Sequence, residues 1–534
     1  MPLPQTPDDA QEAPAVSTRR RRRLTRWLVA SALAAILALA APPPRMEPLA
    51  SAAGAPAPAG ALAAPHPAVT THSITVRDTV VRYTATAGEE PLTDRAGKPE
   101  AAVFFVAYVR QDAADPSRRP ITFAFNGGPG AASVLLHLGA LGPKRVPLLD
   151  HGVPPTPSTR WSDNPYTWLT FTDLVFVDAV GTGYSRAAAG VPDSTFFQPD
   201  GDARSFAQFI QRYIAETHRQ ASPVFLAGES YGGTRAILLA RLLHDAGIDV
   251  SGLILISPVV DFATLNSQYR NPGRSMDLAY ALDVPTYAAT AWYHKKLGPE
   301  FPDLAAAVHA AERWAVTEYL PALVQGDALP APAQERIAQA LSQYTGIGEA
   351  VLRAQRLRLL PTAFRRELLS DQHLQISALD GRIAVDPRAA HAASTTGLMT
   401  PLAAIFERYA STELGYARPD RYQALSERVE RDWTWGVRGP ADVLDVTGDL
   451  RDAMQQNPAM KVLVALGYFD LTVPYYGTEY ALNRLALAPA LADNVIRRYY
   501  ESGHMLYTSQ ASLEKFTGDA AALIASATAP AHHP

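Results

Sequence analysis

PVFLAGESYGG, Pro223 to Gly233, is the stretch that decides the fold. Val224, Phe225 and Leu226 form the kind of short apolar run that makes a buried strand. TRAILLARLLHDAG, Thr234 to Gly247, then carries apolar residues at helical spacing and ends on a glycine suited to the cap. Strand, turn and helix meet within a few residues. At the turn, Gly228-Glu229-Ser230-Tyr231-Gly232 has the form G-x-S-x-G. Small residues two before and two after the serine let a strained turn pass close to its neighbours while holding the hydroxyl outward. Ser230 is therefore a candidate nucleophile. The plainer alternative is a glycine-rich turn with an incidental serine.

Upstream, SITV, VVRYTATA and AAVFFVAYV between His72 and Arg110 are β-branched or aromatic runs broken by Gly, Asp and Pro, which predicts a meander. Ile121 to Phe125 is a further strand that runs into Asn126-Gly127-Gly128-Pro129-Gly130. Consecutive glycines let backbone N–H groups face a ligand. In hydrolases built on such an elbow, one oxyanion donor comes from a loop after an early strand and the other from the residue following the nucleophile. Gly128 and Tyr231 fit those posts. Leu174 to Asp178 feeds Gly181-Thr182-Gly183-Tyr184-Ser185, which lacks the lysine of a phosphate loop and predicts a turn beside the active site. A helix over 203–219 and a strand over 253–260, ending at Asp261, continue the alternation expected of a parallel sheet.

From Asn266 to Ala441 that alternation stops, and Ala-, Leu-, Arg- and Glu-rich patterns predict a mainly helical cap over the sheet's C-terminal edge. Trp433-Thr434-Trp435-Gly436, near its end, is a candidate pocket lining, although packing is the commoner role of tryptophan. Sheet-like text returns at KVLVAL, Lys461 to Leu466, and stops at Gly467-Tyr468-Phe469-Asp470; Val495 to Glu501 then opens into Ser502-Gly503-His504. The order Ser230, Asp470, His504 is that of the α/β-hydrolases. Asp178 and Asp261 also end strands, so Asp470 ranks first as the acid and Asp261 second. The prediction is an α/β-hydrolase fold, with a mostly parallel central sheet flanked by helices. Its core is expected over 69–265 and 442–527, with the cap at 266–441 and a disordered tail at 528–534.

The 534 residues exceed what one core usually holds, in keeping with an insertion, and a net charge of -4 gives no reason to expect nucleic acid as a partner. The absence of cysteine excludes disulfides, thiol nucleophiles and zinc-thiolate sites. There is no H-E-x-x-H and no clustered His and acid set, so neither metal nor cofactor is expected. Five arginines, Arg19 to Arg23, precede an apolar run from Trp27 to Ala41 that is short for a membrane span. Residues 1–41 read as a signal peptide, with Ala38-Leu39-Ala40 and Ala50-Ser51-Ala52 as alternative cleavage sites, and 42–68 as an Ala/Pro-rich linker. The expectation is export to the periplasm or medium, with twin-arginine export as a second route and no stable membrane span after cleavage. The alternative is an uncleaved N-terminal anchor.

FNGGPGAAS at Phe125 to Ser133, NPYTW through DAVGTGYS at Asn164 to Ser185, GESYGG at Gly228 to Gly233, and GYFDLTVP with ESGHM around Asp470 and His504 are similar to the serine carboxypeptidases of the S10 class. The resemblance is closer to the cysteine-free bacterial members and brackets about 72–525. It implies a serine-type carboxypeptidase acting on peptides with a free C-terminal carboxylate. The triad falls on Ser230, Asp470 and His504, the oxyanion donors on Gly128 and Tyr231, and recognition of the terminal carboxylate on Asn126 and Glu229. Where eukaryotic members have tryptophan, glutamate and cysteine, this chain has Ala124, Ala140 and Ala131. An esterase or acyltransferase on the same scaffold is the alternative. An acid beside the nucleophile suits an exopeptidase: Glu229 and a substrate carboxylate would share one proton, which gives peptidase activity an acidic bias.

Overall fold

The computed structural model describes residues 67–149, 153–266, 277–391, 394–435 and 443–529. The expected signal peptide, nearly all of the linker and most of the expected tail lie outside the described residues.

Strand-forming runs separated by short turns give β1 (Ala68–Val76), β2 (Thr79–Thr93) and β3 (Pro99–Arg110), an antiparallel meander. Six further strands join the same sheet: β4 (Ile121–Phe125), β5 (Asp173–Val177), β6 (Val224–Glu229), β7 (Val250–Ile256), β8 (Lys461–Gly467) and β9 (Val495–Tyr500). The order across the sheet is β1-β2-β3-β5-β4-β6-β7-β8-β9, and the two-residue strand Arg186–Ala187 adds to β3. β5 meets β3 antiparallel, and every neighbour pair from β5 to β9 is parallel. β4, β5 and β6 are buried at every residue. Strands of a parallel sheet are covered on both faces and so read as continuous apolar runs.

The two coverings are distinct. On one face, α1 (Pro199–Glu216) and α2 (Tyr231–Asp245) pack with Phe123, Leu226, Leu255 and Val464. On the other, Phe104, Phe176, Phe225 and Ile254 meet Trp168 and the late helices. Between β7 and β8 the chain builds a helical body of its own from α3 (Asp277–Tyr293), α4 (Leu304–Trp314), α5 (Ala331–Thr345) and α6 (Pro361–Glu367). Tyr287, Trp314, Tyr319, Leu341 and Phe364 form its core, which also takes in Leu471, the residue after the candidate acid.

The cap expected over 266–441 is not a single body. Its later helix, α7 (Thr395–Thr412), packs Leu398, Leu402, Ile405 and Phe406 into the cluster on the sheet's face. The reason is the apolar stripe of α7, which matches the strand residues rather than the other cap helices. Trp433 and Trp435 correct the pocket-lining expectation: their rings pack on Tyr231 and on each other, behind the site. The chain closes with α8 (Thr447–Gln456), α9 (Tyr475–Asn483) and α10 (Gln510–Thr528), the last reaching one residue past the expected boundary.

Phe406 is fully buried, with its ring 4.1 Å from that of Tyr422 and edge-on to Phe104. Phe406→Ala should lower global stability by about 3–5 kcal/mol, read by urea denaturation with amide exchange in β6. Unchanged β6 protection would return α7 to a separable cap.

Candidate active site

Ser230 sits between β6 and α2 at φ 59° and ψ -125°. A non-glycine residue in that region costs about 1–3 kcal/mol and persists only when its surroundings over-determine it. Here Ser230 N donates to Ile256 O at 2.9 Å, and Gly233 N donates to Ser230 O at 2.9 Å. Beneath the turn, Arg235 donates to both carboxylate oxygens of Asp202, at 2.7 and 3.2 Å, and to Asn126 O at 2.7 Å. Tyr231 OH donates to Asp202 at 2.9 Å, and the guanidinium lies over the Phe206 ring. Both charges are buried, so one cluster ties the serine turn to the start of the Asn126–Gly130 loop.

That loop lies directly on the turn. A Cβ at Gly127 would stand 2.6 Å from Tyr231 N and 2.5 Å from Gly232 N, an approach only glycine permits. Tyr231 N–H opens α2, where the first N–H groups have no intrahelical acceptor. Gly128 follows at φ 101°. The two expected oxyanion donors thus belong to two backbone segments in contact.

Asp470 lies in the turn after β8, which ends at Gly467, and His504 follows β9, so the two neighbouring strands bring them together. His504 Nδ1 and Asp470 Oδ2 are 2.8 Å apart, and both side chains are buried. Asp470 Oδ1 accepts from Thr472 N and Val473 N, each at 2.8 Å, which leaves Oδ2 for the imidazole. With Nδ1 engaged, Nε2 is the free ring nitrogen. Burial alone would depress the histidine's pKa, but the Asp470 charge and hydrogen bond more than offset it and raise it. Asp261, the second-ranked acid, does not reach the site. It caps a short turn through Ala263 N at 2.8 Å and lies 3.8 Å from Arg484. The strand ahead of it stops at Ile256, well short of the expected Val260, so Asp261 belongs to the following turn. Asp178 accepts from Ser133 N at 2.8 Å within the core.

Glu229 is also buried. Asn126 Nδ2 and Tyr507 OH both donate to its Oε2, at 2.9 and 2.5 Å. Asn126 Oδ1 accepts from Leu136 N at 3.0 Å, which orients the amide. Burial raises the carboxyl pKa to about 7, against the His504 charge and the hydrogen bonds from Tyr507 and Asn126, which lower it.

Asn126, Gly128, Glu229, Ser230 and His504 line one cavity of about 460 Å³, beneath residues of the helical body. Asp470 and Tyr231 stand behind the lining. Among the described residues no hydrogen bond joins Ser230 Oγ to His504; such contacts are often long before substrate binds. The Gly181–Ser185 turn is not part of the lining. It backs onto Gln423 and Phe197, one layer behind. Among the described residues no group of acids and histidines is placed to hold a metal ion, and no helix is long and apolar enough to cross a membrane.

Sequence reasoning did not reach three supports. Tyr507 carries no local signal, since it meets Glu229 only through folding. Leu379 O accepts from His504 N at 2.6 Å, and Asp380 accepts from Gly503 N at 3.1 Å. Arg382 binds Asp380 at 2.6 Å and lies over the Phe469 ring. This strap comes from the inserted segment and clamps the histidine loop. Ser257 Oγ donates to His504 O at 2.8 Å from the other side.

A Cβ at Gly503 would meet Leu379 O at 2.1 Å and Asp380 Cα at 2.5 Å. Gly503→Ala should displace His504 from Asp470 while leaving the fold intact. The measurement is the downfield proton resonance of the Nδ1–H shared with Asp470, which should be lost; an unchanged resonance would show that the strap does not position the histidine.

A family model described as serine carboxypeptidase matches residues 93–295. "Serine carboxypeptidase-like 33" of Arabidopsis thaliana is 29% identical over 171 residues, covering 30% of this chain and 32% of the relative. "Pheromone-processing carboxypeptidase KEX1" of Ajellomyces capsulatus is 33% identical over 153 residues, 28% of this chain and 22% of the relative. The matched stretches thus span a third or less of those relatives' own lengths. Among solved structures, a prohormone-processing carboxypeptidase KEX1 from Saccharomyces cerevisiae covers 82% of this chain and 92% of its own, with a TM-score of 0.53 and 16% identity. That likeness carries the fold, and the family match covers the sequence blocks of the serine turn and its loop: over residues 93–295 the chain is similar to the serine carboxypeptidases.

Proposed function

We propose that this protein is a serine-type carboxypeptidase that releases C-terminal residues from peptides through an acyl-enzyme. His504 Nε2 takes the Ser230 proton as Oγ attacks the scissile carbonyl carbon. The Gly128 and Tyr231 N–H groups stabilise the oxyanion. As the C–N bond breaks, His504 returns the proton to the departing amine, and water then releases the acyl group by the same route. Asp470 holds the imidazole tautomer and stabilises its charged form. Opened to peptides, the scaffold alone would equally suit an esterase or acyltransferase.

The observation that carries the exopeptidase reading is the buried Asn126–Glu229–Tyr507 set, in the cavity that Ser230 and His504 share. A carboxyl with a pKa of about 7 is protonated in mild acid and can donate to a substrate carboxylate, with the Asn126 amide beside it. Glu229 and His504 influence each other electrostatically, so they titrate as a pair. With Glu229 protonated its negative charge no longer raises the His504 pKa, so the imidazole gives up its proton more readily, as a base must. Above the pair's range Glu229 is ionised and repels the substrate terminus. The sign follows: binding of free C-termini weakens as pH rises through about 7.

Ser230→Ala and His504→Ala should each abolish turnover with the fold intact, and Asp470→Asn should lower kcat by about 10⁴-fold. Folded Ser230→Ala with near-normal activity would end the proposal. Glu229→Gln cannot ionise yet can still donate, so kcat/KM on free-carboxylate peptides should lose its fall above about pH 7, while amidated or ester substrates change little. Equal pH profiles for parent and variant would remove Glu229 from terminus recognition and favour the esterase.

A further inference from the structure

Arg365 lies on α6, the helix whose Phe364 ring stacks on Tyr287 at 4.2 Å in the core of the helical body. Its side chain forms part of the wall of the substrate cavity. Nε donates to Ile376 O at 2.9 Å, which sets the direction of the guanidinium and leaves its other N–H donors without a partner among the described residues. No carboxylate is paired with it there. The contrast with other arginines of the fold is direct: Arg119 and Arg219 share Asp173, Arg235 has Asp202, and Arg382 has Asp380.

The acids that line the cavity do not compensate Arg365. Glu229 is held by Asn126 and Tyr507, Asp283 accepts from Asn266 and Tyr287, and Glu430 stands against the Gly130 loop. Burial is the cause acting on the guanidinium's pKa, and it lowers it. A partly desolvated cation without a counterion is costly unless an anion joins it. The anion it lacks inside the chain is one the cavity's ligand can supply.

Position narrows the ligand. Ile376, which anchors Nε, is three residues from Leu379, whose carbonyl holds His504. Arg365 also lines the same cavity as Ser230 and His504, so an anion on Arg365 shares that cavity with the side chains one or two residues from the scissile bond. The planar fork of arginine matches a carboxylate in two-point contact.

We propose that Arg365 is a specificity-determining residue that binds the side-chain carboxylate of a substrate glutamate or aspartate next to the scissile bond. This rests on the carboxypeptidase reading and extends it: the terminal carboxylate goes to Asn126 and Glu229, and the acidic side chain to Arg365.

The test uses four matched peptides with Glu or Gln at the last position, or at the one before it, at about pH 6, where a glutamate of ordinary pKa (about 4.3) is charged. Dissociation constants are measured by calorimetry on Ser230→Ala, and kcat/KM on the active protein, each with and without Arg365→Met. Glu should be preferred over Gln by tenfold or more at one of the two positions, which identifies the position read. Arg365→Met should bring that ratio to about one, and Arg365→Lys should restore part of it. A ratio of one or below at both positions, or a preference that survives Arg365→Met, overturns the proposal. So does a variant that loses free over amidated peptides while keeping its Glu preference, since Arg365 would then read the terminus. Failure of the active protein to cleave any of the peptides would sink the carboxypeptidase reading, whereas the calorimetric ratio still decides on Arg365.

Discussion

The strained turn at Ser230 depends on the buried pair below it. Arg235 joins Asp202 on α1, the carbonyl of Asn126 after β4 and the aromatic rings around it, so one guanidinium ties together the helix before the turn, the helix after it and the glycine loop beside it. Breaking a buried pair of this kind costs about 3–5 kcal/mol, more than the strain of one residue at positive φ. The serine can therefore be held in an unfavourable conformation because the cost is met by a contact made elsewhere.

The same logic extends across the insertion. The helical body does more than roof the cavity, because its core takes in Leu471 next to the acid, and the segment 377–382 that follows it holds the histidine loop. Thr472 Oγ1 donates to Ala378 O at 3.0 Å, so the acid's turn and the strap are also joined directly. Covering and positioning are thus functions of one piece of chain. A shift in the helical body would reach the His504 loop through Leu379 and Asp380, and the Asp470 turn through Leu471 and the Thr472–Ala378 hydrogen bond.

Electrostatically, the site keeps two proton-binding groups on either side of the nucleophile in different surroundings. His504 is buried but has a carboxylate at 2.8 Å, so its charged form is stabilised. Glu229 is buried with only neutral donors in contact, so its charged form is penalised. Two proton-binding groups a short way apart are thus set by different causes, the histidine by a charge partner and the glutamate by burial.

Local pattern alone determined a good deal. The buried strand, turn and amphipathic helix around Ser230 follow from apolar spacing between Val224 and Gly247, and the chain order of Ser230, Asp470 and His504 follows from three strand ends. The parallel sheet was legible for the same reason, because its doubly covered strands are continuous apolar runs. What lay beyond reach were contacts between segments far apart in the chain. Asp261 and Asp470 look alike in sequence, each an acid after a strand, and only the adjacency of β8 and β9 puts Asp470 against His504. The helices of 266–441 share one composition, yet α7 joins the sheet's core because its apolar face meets Phe104 and His137 there. Tyr507, Asp380 and Arg365 carry no signature at all, since hydrogen bonding and charge compensation belong to the folded arrangement and periodicity cannot encode them.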